Sequence, residues 1–243
     1  MGHLATDLLE ALDPARVMVR AGLRPDPWQR DLLRSSARRL LVLCARQSGK
    51  STTAAALGLY EALYTPPALV LLLSPSLRQS QELFRATMSL YTALGAPVPS
   101  VGESALRIEL RNRSRIIALP GESDATIRGY ADVRLLVIDE AARVPDDLYR
   151  ATRPMLAVSG GRLVALSTPF GKQGWFYDEW TRGEGWSRTR IEASKCPRIA
   201  RKFLEEEAQH LGSLAYREEY ECEFVATRDQ FLSDDAIDAV FAP

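Results

Sequence analysis

Histidine and cysteine are both scarce in this chain of 243 residues, which contains two histidines and three cysteines. The cysteines are Cys44, Cys196 and Cys222, and no two of them are spaced as a C-x-x-C pair. This spacing, together with so few histidines, argues against a structural zinc site and against a disulfide framework. The shortage of histidine also disfavours a Ser-His-Asp hydrolase mechanism.

Long apolar runs are missing as well. The stretch from Leu69 to Leu73 is among the longest, far short of the roughly 20 residues that a membrane helix requires. The N-terminus lacks the basic, apolar and small-residue order of a signal peptide. Hydrophobic residues make up 46% and charged residues 26% of the chain, as in ordinary globular proteins. We therefore expect a soluble intracellular protein.

Net charge is also absent, because Lys+Arg and Asp+Glu both number 31. The overall balance therefore gives no information about a nucleic-acid partner. The distribution is uneven, with an excess of basic residues from Asp13 to Lys50 and of acidic residues from Arg201 to Glu223. Such asymmetry marks either an anion-binding face or, more commonly, solvated helices.

Short apolar runs alternate with longer helical patterns through the first two thirds of the chain. Runs that are apolar on both faces are typical of a parallel sheet covered by helices on both sides. The alternation predicts a doubly wound α/β domain. The predicted strands are Leu40–Cys44, Leu69–Leu73, Arg115–Leu119, Leu135–Ile138 and Leu163–Ser167, and the predicted helices run from Gly49 to about Tyr64, from Leu77 to about Leu94 and for a shorter length after Pro145.

The alternation of strands and helices fades after Gly171. The following residues are rich in Trp and Tyr, and two helical patterns then cover Ile199–Leu211 and Leu214–Glu223. We therefore predict two parts, an α/β core at residues 1–170 and a small, mainly helical appendage at residues 171–243.

A phosphate-binding loop is the sharpest signal in the sequence. Residues 44–51 read Cys-Ala-Arg-Gln-Ser-Gly-Lys-Ser and match the pattern G-x-x-x-x-G-K-[ST] except at the first glycine, here Cys44. Such a loop presents backbone N–H groups to phosphate oxygens at a helix N-terminus. Gly49 permits close approach of the backbone, Lys50 neutralises the β- and γ-phosphates, and Ser51 offers its hydroxyl to Mg²⁺. The alternative is a plain strand–turn–helix with a solvated lysine.

A pair of acidic residues, Asp139 and Glu140, ends the apolar run that begins at Leu135. The carboxyl end of a buried parallel strand lies at the edge of the sheet where open α/β domains bind ligands. There Asp139 can hold the hydration shell of Mg²⁺, and Glu140 can orient or deprotonate the attacking water. The alternative is that one acid merely caps the next helix, but the phosphate loop favours the catalytic interpretation.

Four stretches occur along the chain in a characteristic order. They are Pro27-Trp28-Gln29, the loop containing Arg46-Gln47, Ile127-Arg128-Gly129 followed by residues 137–142, and Leu166-Ser167-Thr168-Pro169 followed by residues 174–177. With these stretches the sequence resembles the ATPase domain of the large terminase subunit of tailed bacteriophages. The first is similar to the adenine-reading motif of that family, the second to its phosphate loop, which often lacks the first glycine and carries an arginine, and the fourth to its coupling motif.

The resemblance implies a fold and an activity. The fold is a P-loop NTPase of the additional-strand, catalytic-glutamate type, with a mostly parallel sheet, flanking helices and a small, mainly helical C-terminal lid subdomain. The activity is hydrolysis of ATP with Mg²⁺, coupled to translocation of double-stranded DNA into a procapsid. The implied partners are DNA, the portal protein, the small terminase subunit and further copies in a ring, all in the host cell cytoplasm.

The resemblance also implies roles for individual residues, each with a simpler alternative. Gln29 would bond the adenine edge, or would be a helix-surface glutamine. Arg46 would contact the γ-phosphate, or would be a solvated loop residue. Ser167 and Thr168 would couple hydrolysis to motion, or would only end a strand. Arg128 would be an arginine finger for a neighbouring subunit, or an ordinary loop residue. The implied ATP-binding set is Gln29, Arg46, Gln47, Ser48, Gly49, Lys50, Ser51 and Thr52, with Ser51 and Asp139 as the Mg²⁺ residues and Glu140, Lys50, Arg46 and Arg128 as the catalytic ones.

Two departures from the family bear on DNA. Nothing after residue 171 supplies the Asp/Glu set of a two-metal nuclease, so we expect no nuclease activity from this chain. There is also no charged run long enough to be a DNA-binding tail. The best candidates for contact with duplex phosphates are arginines on two short β-like runs that could form a hairpin, although a solvated hairpin face explains them equally well. They are Arg107, Arg111, Arg113 and Arg115.

Two other functions stay open from the sequence. One is a helicase or translocase lobe, because Asp139-Glu140-Ala141-Ala142 resembles the acidic box of that class. Its usual second ATPase-like lobe is not found in this sequence. The other is a nucleotide-binding adaptor without turnover, although an inactive binder has no need of Glu140 beside Asp139. Strand displacement would favour the helicase, and tight binding without turnover would favour the adaptor.

Overall fold

A computed structural model describes residues 8–121, 127 and 129–225 of the chain. Its strands and helices alternate as the apolar patterns predict, and residues 8–12 are also helical. The helices are α1 Arg16–Arg20, α2 Pro27–Arg34, α3 Lys50–Tyr64, α4 Leu77–Ala93, α5 Asp146–Thr152, α6 Gly174–Thr181, α7 Arg201–His210 and α8 Ser213–Glu219. The strands are β1 Arg39–Cys44, β2 Leu69–Ser74, β3 Ser100–Ser104, β4 Arg107–Leu110, β5 Arg115–Pro120, β6 Leu135–Asp139, β7 Arg162–Ser167 and β8 Ser187–Ile191.

The eight strands form one mixed sheet in the order β3-β4-β5-β2-β6-β7-β1-β8. From β5 to β8 every neighbouring pair is parallel, and only the β3–β4 and β4–β5 pairs are antiparallel. Because parallel strands all end at the same edge, the residues that follow β1, β6 and β7 are brought together. This edge carries both the phosphate loop and the acidic pair.

Alternate residues of β1 enter different cores on the two faces of the sheet. Leu40 and Val42 pack in the cluster that contains α3 and α4, whereas Leu41 and Leu43 pack in the cluster that contains α5 and α6. This is the period-two geometry of a strand whose two faces are both covered. It explains why β1, β2 and β6 are continuous apolar runs in the sequence.

Strand β7 lies between β1 and β6, in register with both. Leu43 of β1 pairs with Ser167, and Asp139 of β6 pairs with Leu166. An extra strand therefore separates the strand before the phosphate loop from the strand before the acidic pair. This confirms the predicted fold of the additional-strand type.

All five predicted strands are present, within a residue or two at their ends. Two strands were not predicted, β3, which pairs with β4, and β8, which pairs in parallel with β1 at the sheet edge. The predicted appendage at residues 171–243 therefore includes a strand of the central sheet, and its boundary at residue 170 does not follow the edge of that sheet. The division into a core and a lid otherwise stays a prediction.

In the described part of the chain, no helix is both long and apolar enough to span a membrane.

Candidate functional site

The phosphate loop joins β1 to α3 at the C-terminal edge of the sheet. Gln47 and Gly49 both have positive φ, +58° and +91°, and together they turn the backbone into the helix. Gly49 is the N-cap of α3 and supplies no side-chain hydrogen bond to it. The first N–H groups of a 15-residue helix therefore face the loop without a capping side chain, which is the arrangement that binds phosphate oxygens.

The acidic pair meets the loop directly. The Ser51 hydroxyl donates to Asp139 Oδ2 at 2.6 Å, and Lys50 Nζ forms an ion pair with Glu140 Oε1 at 2.9 Å. Glu140 has a left-handed backbone with a φ of +51°, which turns the chain sharply at the end of β6. The four side chains that the sequence assigns to phosphate, metal and water therefore lie together.

Burial and charge shift the pKa values of this group. Burial alone lowers the pKa of Lys50, but the carboxylates of Glu140 and Asp139 outweigh it, so the pKa is raised and the ammonium form is favoured. Burial raises the pKa of Asp139, against the opposing effects of Lys50 and the Ser51 hydrogen bond. A cation placed beside the Asp139 carboxylate would favour its ionised form.

The donor set at this edge suits Mg²⁺. A serine hydroxyl and one carboxylate are hard oxygen ligands, and Mg²⁺ in nucleotide sites takes its remaining ligands from phosphates and water. Within residues 8–121, 127 and 129–225 no group of three or more His, Cys, Asp or Glu could hold a metal ion. Ser51 and Asp139 therefore fit a nucleotide-bound Mg²⁺ rather than a metal held by protein ligands alone.

Arg143 contacts both Glu140 and the residue that follows β7. Its Nη1 lies 3.1 Å from Glu140 Oε2 and donates to Thr168 Oγ1 at 3.0 Å, while its guanidinium carbon lies 4.7 Å from the centre of the Phe170 ring. Beside it, the Ser167 hydroxyl accepts a hydrogen bond from the Ala142 backbone N–H at 3.1 Å. The two predicted coupling residues thus both contact the turn that follows the acidic pair.

Gln29 is buried beside the loop and is not a helix-surface residue. Its Nε2 donates to Thr53 Oγ1 at 2.9 Å and to the Gly49 carbonyl at 3.3 Å, and its Oε1 accepts from the Asp26 N–H at 2.8 Å. The last bond is half of a capping box at the start of α2. The predicted contact with adenine stays a prediction, since all of these bonds are internal.

Arg198 lies over the same loop from the C-terminal part of the chain. Its Nη2 donates to Asp26 Oδ2 at 2.9 Å and to the Ser48 carbonyl at 2.5 Å. A Cβ at Gly49 would lie 2.8 Å from Arg198 Nη2 and 2.9 Å from Gln29 Nε2. The loop is therefore enclosed on this side by two side chains, and the φ of +91° at position 49 favours glycine.

The other residues that the sequence assigns to ATP binding differ in exposure and surroundings. The Arg46 side chain is 65% exposed and lies 4.0 Å from Glu219, and its predicted contact with the γ-phosphate stays a prediction. Gln47 is exposed, and Ser48 is buried. Thr52 is half-buried and lines a cavity of about 360 Å³ that is mostly apolar.

The predicted arginine finger, Arg128, lies outside the described residues. Arg107, Arg111 and Arg113 are exposed on or beside the β4–β5 hairpin, at the far end of the sheet from β1. Arg107 is paired with Glu109 at 2.5 Å. The hairpin predicted from the sequence is present, but this geometry fits a solvated face as well as it fits a DNA contact.

Sequence reasoning missed Arg143 and Arg198 as site residues. Arg143 had a local signal, because it stands three residues after Glu140 in the turn that follows the acidic pair. Arg198 had none, since Ser48 and Asp26 lie 150 and 172 positions earlier in the chain.

Comparison with known sequences gives one family match and two curated relatives. The profile of the family described as "Terminase large subunit, T4likevirus-type, N-terminal" matches residues 41–235. Proteins named "Terminase, large subunit" from Thermus phage G20c and Thermus virus P23-45 are each 24% identical to the chain over 249 residues. The aligned region covers 87% of this chain and 51% of each relative, so the chain spans about half the length of the curated relatives it matches.

Solved structures with the same fold include two phage proteins. The large terminase ATPase domain of Thermus phage P74-26 aligns with a TM-score of 0.75 at 22% identity, covering 86% of this chain and 97% of that domain. The large terminase of a thermophilic bacteriophage, solved in complex with ADP, aligns with a TM-score of 0.67 at 11% identity over 82% of this chain and 53% of that one. At these identities the likeness shows the fold.

Proposed function

The chain belongs to the T4likevirus-type family of terminase large subunits, matching its N-terminal part, and from that premise we propose that it is the ATP-hydrolysing motor of a phage DNA-packaging machine. The observation that carries the proposal is the meeting of Lys50, Ser51, Asp139 and Glu140 at one sheet edge. Coupling of hydrolysis to movement of double-stranded DNA into a procapsid is part of the same proposal.

Each residue at this edge has a defined task when ATP binds. Lys50 places its charge against the β- and γ-phosphates, beside the N–H groups at the start of α3. Ser51 and Asp139 would hold Mg²⁺, which would supply positive charge against the phosphates. Glu140 accepts a proton from the attacking water. Arg143 holds the Glu140 carboxylate in place and is itself hydrogen-bonded to Thr168.

The remaining partners are proposed from the family. We propose that the chain acts on double-stranded DNA in the host cytoplasm, in a ring of copies with the portal protein and the small terminase subunit. Arg128 is proposed to complete the active site of the neighbouring copy. The terminase of the thermophilic bacteriophage, solved in complex with ADP, supports an adenine nucleotide as the ligand.

The proposal is tested by two substitutions with matched controls in the chain itself. Glu140→Gln should retain ATP binding and lose hydrolysis, because an amide cannot accept the proton of the water. Lys50→Ala should weaken binding, because it removes the point charge facing the phosphates. Binding is measured with a fluorescent ATP analogue and turnover by phosphate release.

The control pair is Lys202 and Glu206, an exposed lysine–glutamate ion pair on α7. Lys202→Ala and Glu206→Gln make the same chemical changes away from the site, and both should behave as the unsubstituted chain. Hydrolysis at the unsubstituted rate by Glu140→Gln would refute the assignment of Glu140.

A further inference from the structure

A cavity of about 360 Å³ lies at the opposite edge of the sheet from the phosphate loop, where β1 and β7 begin. Arg38 and Arg39 stand at the start of β1 on one side, and Arg153 follows α5 on the other. Gly160 and Gly161 form a turn between them, and the Gly160 Cβ position lies 3.6 Å from Arg38 Nη1. We call this site the arginine cavity.

The lining of the arginine cavity has three positive charges and no carboxylate. Arg38, Arg39 and Arg153 are all exposed, and among the described residues none of the three forms an ion pair. By contrast, Arg134, just before β6, forms an ion pair with the buried Glu61 at 2.9 Å. Guanidinium groups that gather without an anion repel one another, so their arrangement is stabilised when an anion enters.

Hydrogen bonds from side chains hold two backbone segments that border the arginine cavity. Arg162 donates from Nη2 to the Ser35 carbonyl at 2.8 Å and from Nε to the Ala37 carbonyl at 3.3 Å, which fixes the segment leading to Arg38. On the other side, the Ser159 hydroxyl donates to the Val133 carbonyl at 2.6 Å and accepts from the Gly161 N–H at 3.1 Å. Side-chain hydrogen bonds thus hold both the segment before Arg38 and the turn that contains Gly160 and Gly161.

The turn at the base of the arginine cavity also requires glycine. A Cβ at Gly161 would lie 2.1 Å from the Val133 carbonyl oxygen and 2.8 Å from that of Arg134. Gly160 has a φ of +58°, which favours glycine. A side chain therefore does not fit at position 161, and the space between the arginines is not occupied by one from that position.

We propose that the arginine cavity binds a phosphate group, from the backbone of duplex DNA or from free phosphate. Guanidinium groups bind phosphate oxygens through paired N–H donors, and three of them match a tetrahedral anion with several acceptors. The DNA source rests on the function proposed above, whereas the phosphate chemistry rests on the cavity alone. The site is distinct from the phosphate loop, because it lies at the other end of β1.

The test compares two sets of substitutions that remove the same charge. One is Arg38→Gln, Arg39→Gln and Arg153→Gln together, and the other is Arg107→Gln, Arg111→Gln and Arg113→Gln on the hairpin. Binding of a fluorescein-labelled duplex is followed by anisotropy over a series of salt concentrations, without nucleotide. Affinity falls as salt rises, and the loss of each phosphate contact should make the slope of log K against log salt less steep by about 0.9. For the cavity set the change should be roughly 3. The hairpin set should change it less.

A second measurement separates the two sources of phosphate. Inorganic phosphate should raise the melting temperature of the unsubstituted chain more than that of the cavity variant. If the cavity variant binds the duplex normally but is stabilised less by inorganic phosphate than the unsubstituted chain, the ligand is free phosphate. If the cavity variant equals the unsubstituted chain in both measurements, the proposal is wrong.

Single substitutions keep the test valid if the triple variant is unstable, and each should lower the salt slope by about 1. Because no nucleotide is present, the result is independent of ATP hydrolysis. A chain that fails to hydrolyse ATP can still bind phosphate in the cavity, and an active ATPase can still fail this test.

Discussion

At the scale of single residues, Glu140 has two cationic partners, and nucleotide binding must change one of them. Lys50 Nζ lies 2.9 Å from one carboxylate oxygen and Arg143 Nη1 lies 3.1 Å from the other. Phosphates that attract Lys50 compete with Glu140 for the same ammonium group. Once Lys50 turns to the phosphates, one carboxylate oxygen is released for water while Arg143 still holds the other.

Arg143 is therefore expected to position Glu140 rather than to bind ATP. Arg143→Gln should lower kcat about 10- to 100-fold with little change in KM, because a misplaced base weakens proton transfer but not substrate affinity. Arg143→Lys should recover part of the loss, since it restores the charge without the paired donors. Steady-state phosphate release gives both constants.

The control is Arg85→Gln, which breaks another arginine–glutamate pair at i,i+3 spacing. Arg85 and Glu82 are both exposed on α4, and neither contacts Glu140. This variant should match the unsubstituted chain. A rise in KM with unchanged kcat for Arg143→Gln would contradict the positioning role.

At the scale of elements, Arg198 ties three separate segments together. It contacts the start of α2 through Asp26 and the phosphate loop through the Ser48 carbonyl, while itself following β8 in the chain. Asp26 is 6% exposed, so loss of its partner leaves a buried carboxylate. The Arg198 side chain adds to the backbone hydrogen bonds that Ala45 and Arg46 of the loop donate to the Ile191 and Glu219 carbonyls.

Removing this contact should destabilise the fold. Arg198→Gln is expected to lower the free energy of unfolding by about 1–2 kcal/mol, a value reduced because the arginine is half exposed. Urea unfolding followed by tryptophan fluorescence gives the value. Arg217→Gln, which breaks the exposed pair with Glu223, should cost less than about 1 kcal/mol. Equal losses for the two variants would show that burial of Asp26 does not matter.

The elements show which parts of this structure are readable from sequence. Strands β1, β2 and β6 are buried on both faces, so each is an unbroken apolar run and was predicted within a residue or two. Strand β8 reads Ser-Arg-Thr-Arg-Ile and is mostly exposed at the sheet edge, so it has no apolar pattern to find. Its pairing depends on β1, which lies far away in the sequence.

The same physical reason separates the predicted site residues from the missed ones. Lys50, Ser51, Asp139 and Glu140 belong to short motifs at strand ends, where the parallel sheet itself brings them together. The contacts of Arg198 and the burial of Gln29 arise from packing between distant segments. No local pattern encodes such packing. The alternative of a helix-surface Gln29 is therefore wrong, while its contact with adenine stays a prediction.

At the scale of the whole molecule, all three cysteines are buried and unpaired, so they report on global unfolding. Burial raises the pKa of Cys222 to about 12 and raises that of Cys44 further, which disfavours the reactive thiolate. Burial also raises the pKa of Cys196. In each folded environment the thiol therefore stays protonated at neutral and mildly alkaline pH.

We expect the folded protein to react negligibly with Ellman's reagent at about pH 8, where a thiol of pKa 12 is ionised in roughly one molecule in 10⁴. In denaturant all three thiols should react rapidly. The rate as a function of denaturant should follow the unfolding curve. Rapid reaction of one thiol under native conditions would reveal local opening around that cysteine.

Strand β1 has a further consequence for the molecule as a machine. It carries the phosphate loop at one end and the arginine cavity at the other, and a six-residue strand keeps these about 17–20 Å apart. An extended backbone is nearly inextensible, so the strand behaves as a spacer of constant length. An event at the loop therefore cannot draw the cavity nearer. It can alter the shape of the cavity instead, for example through residues 140–156, which lead from Glu140 by way of α5 to Arg153.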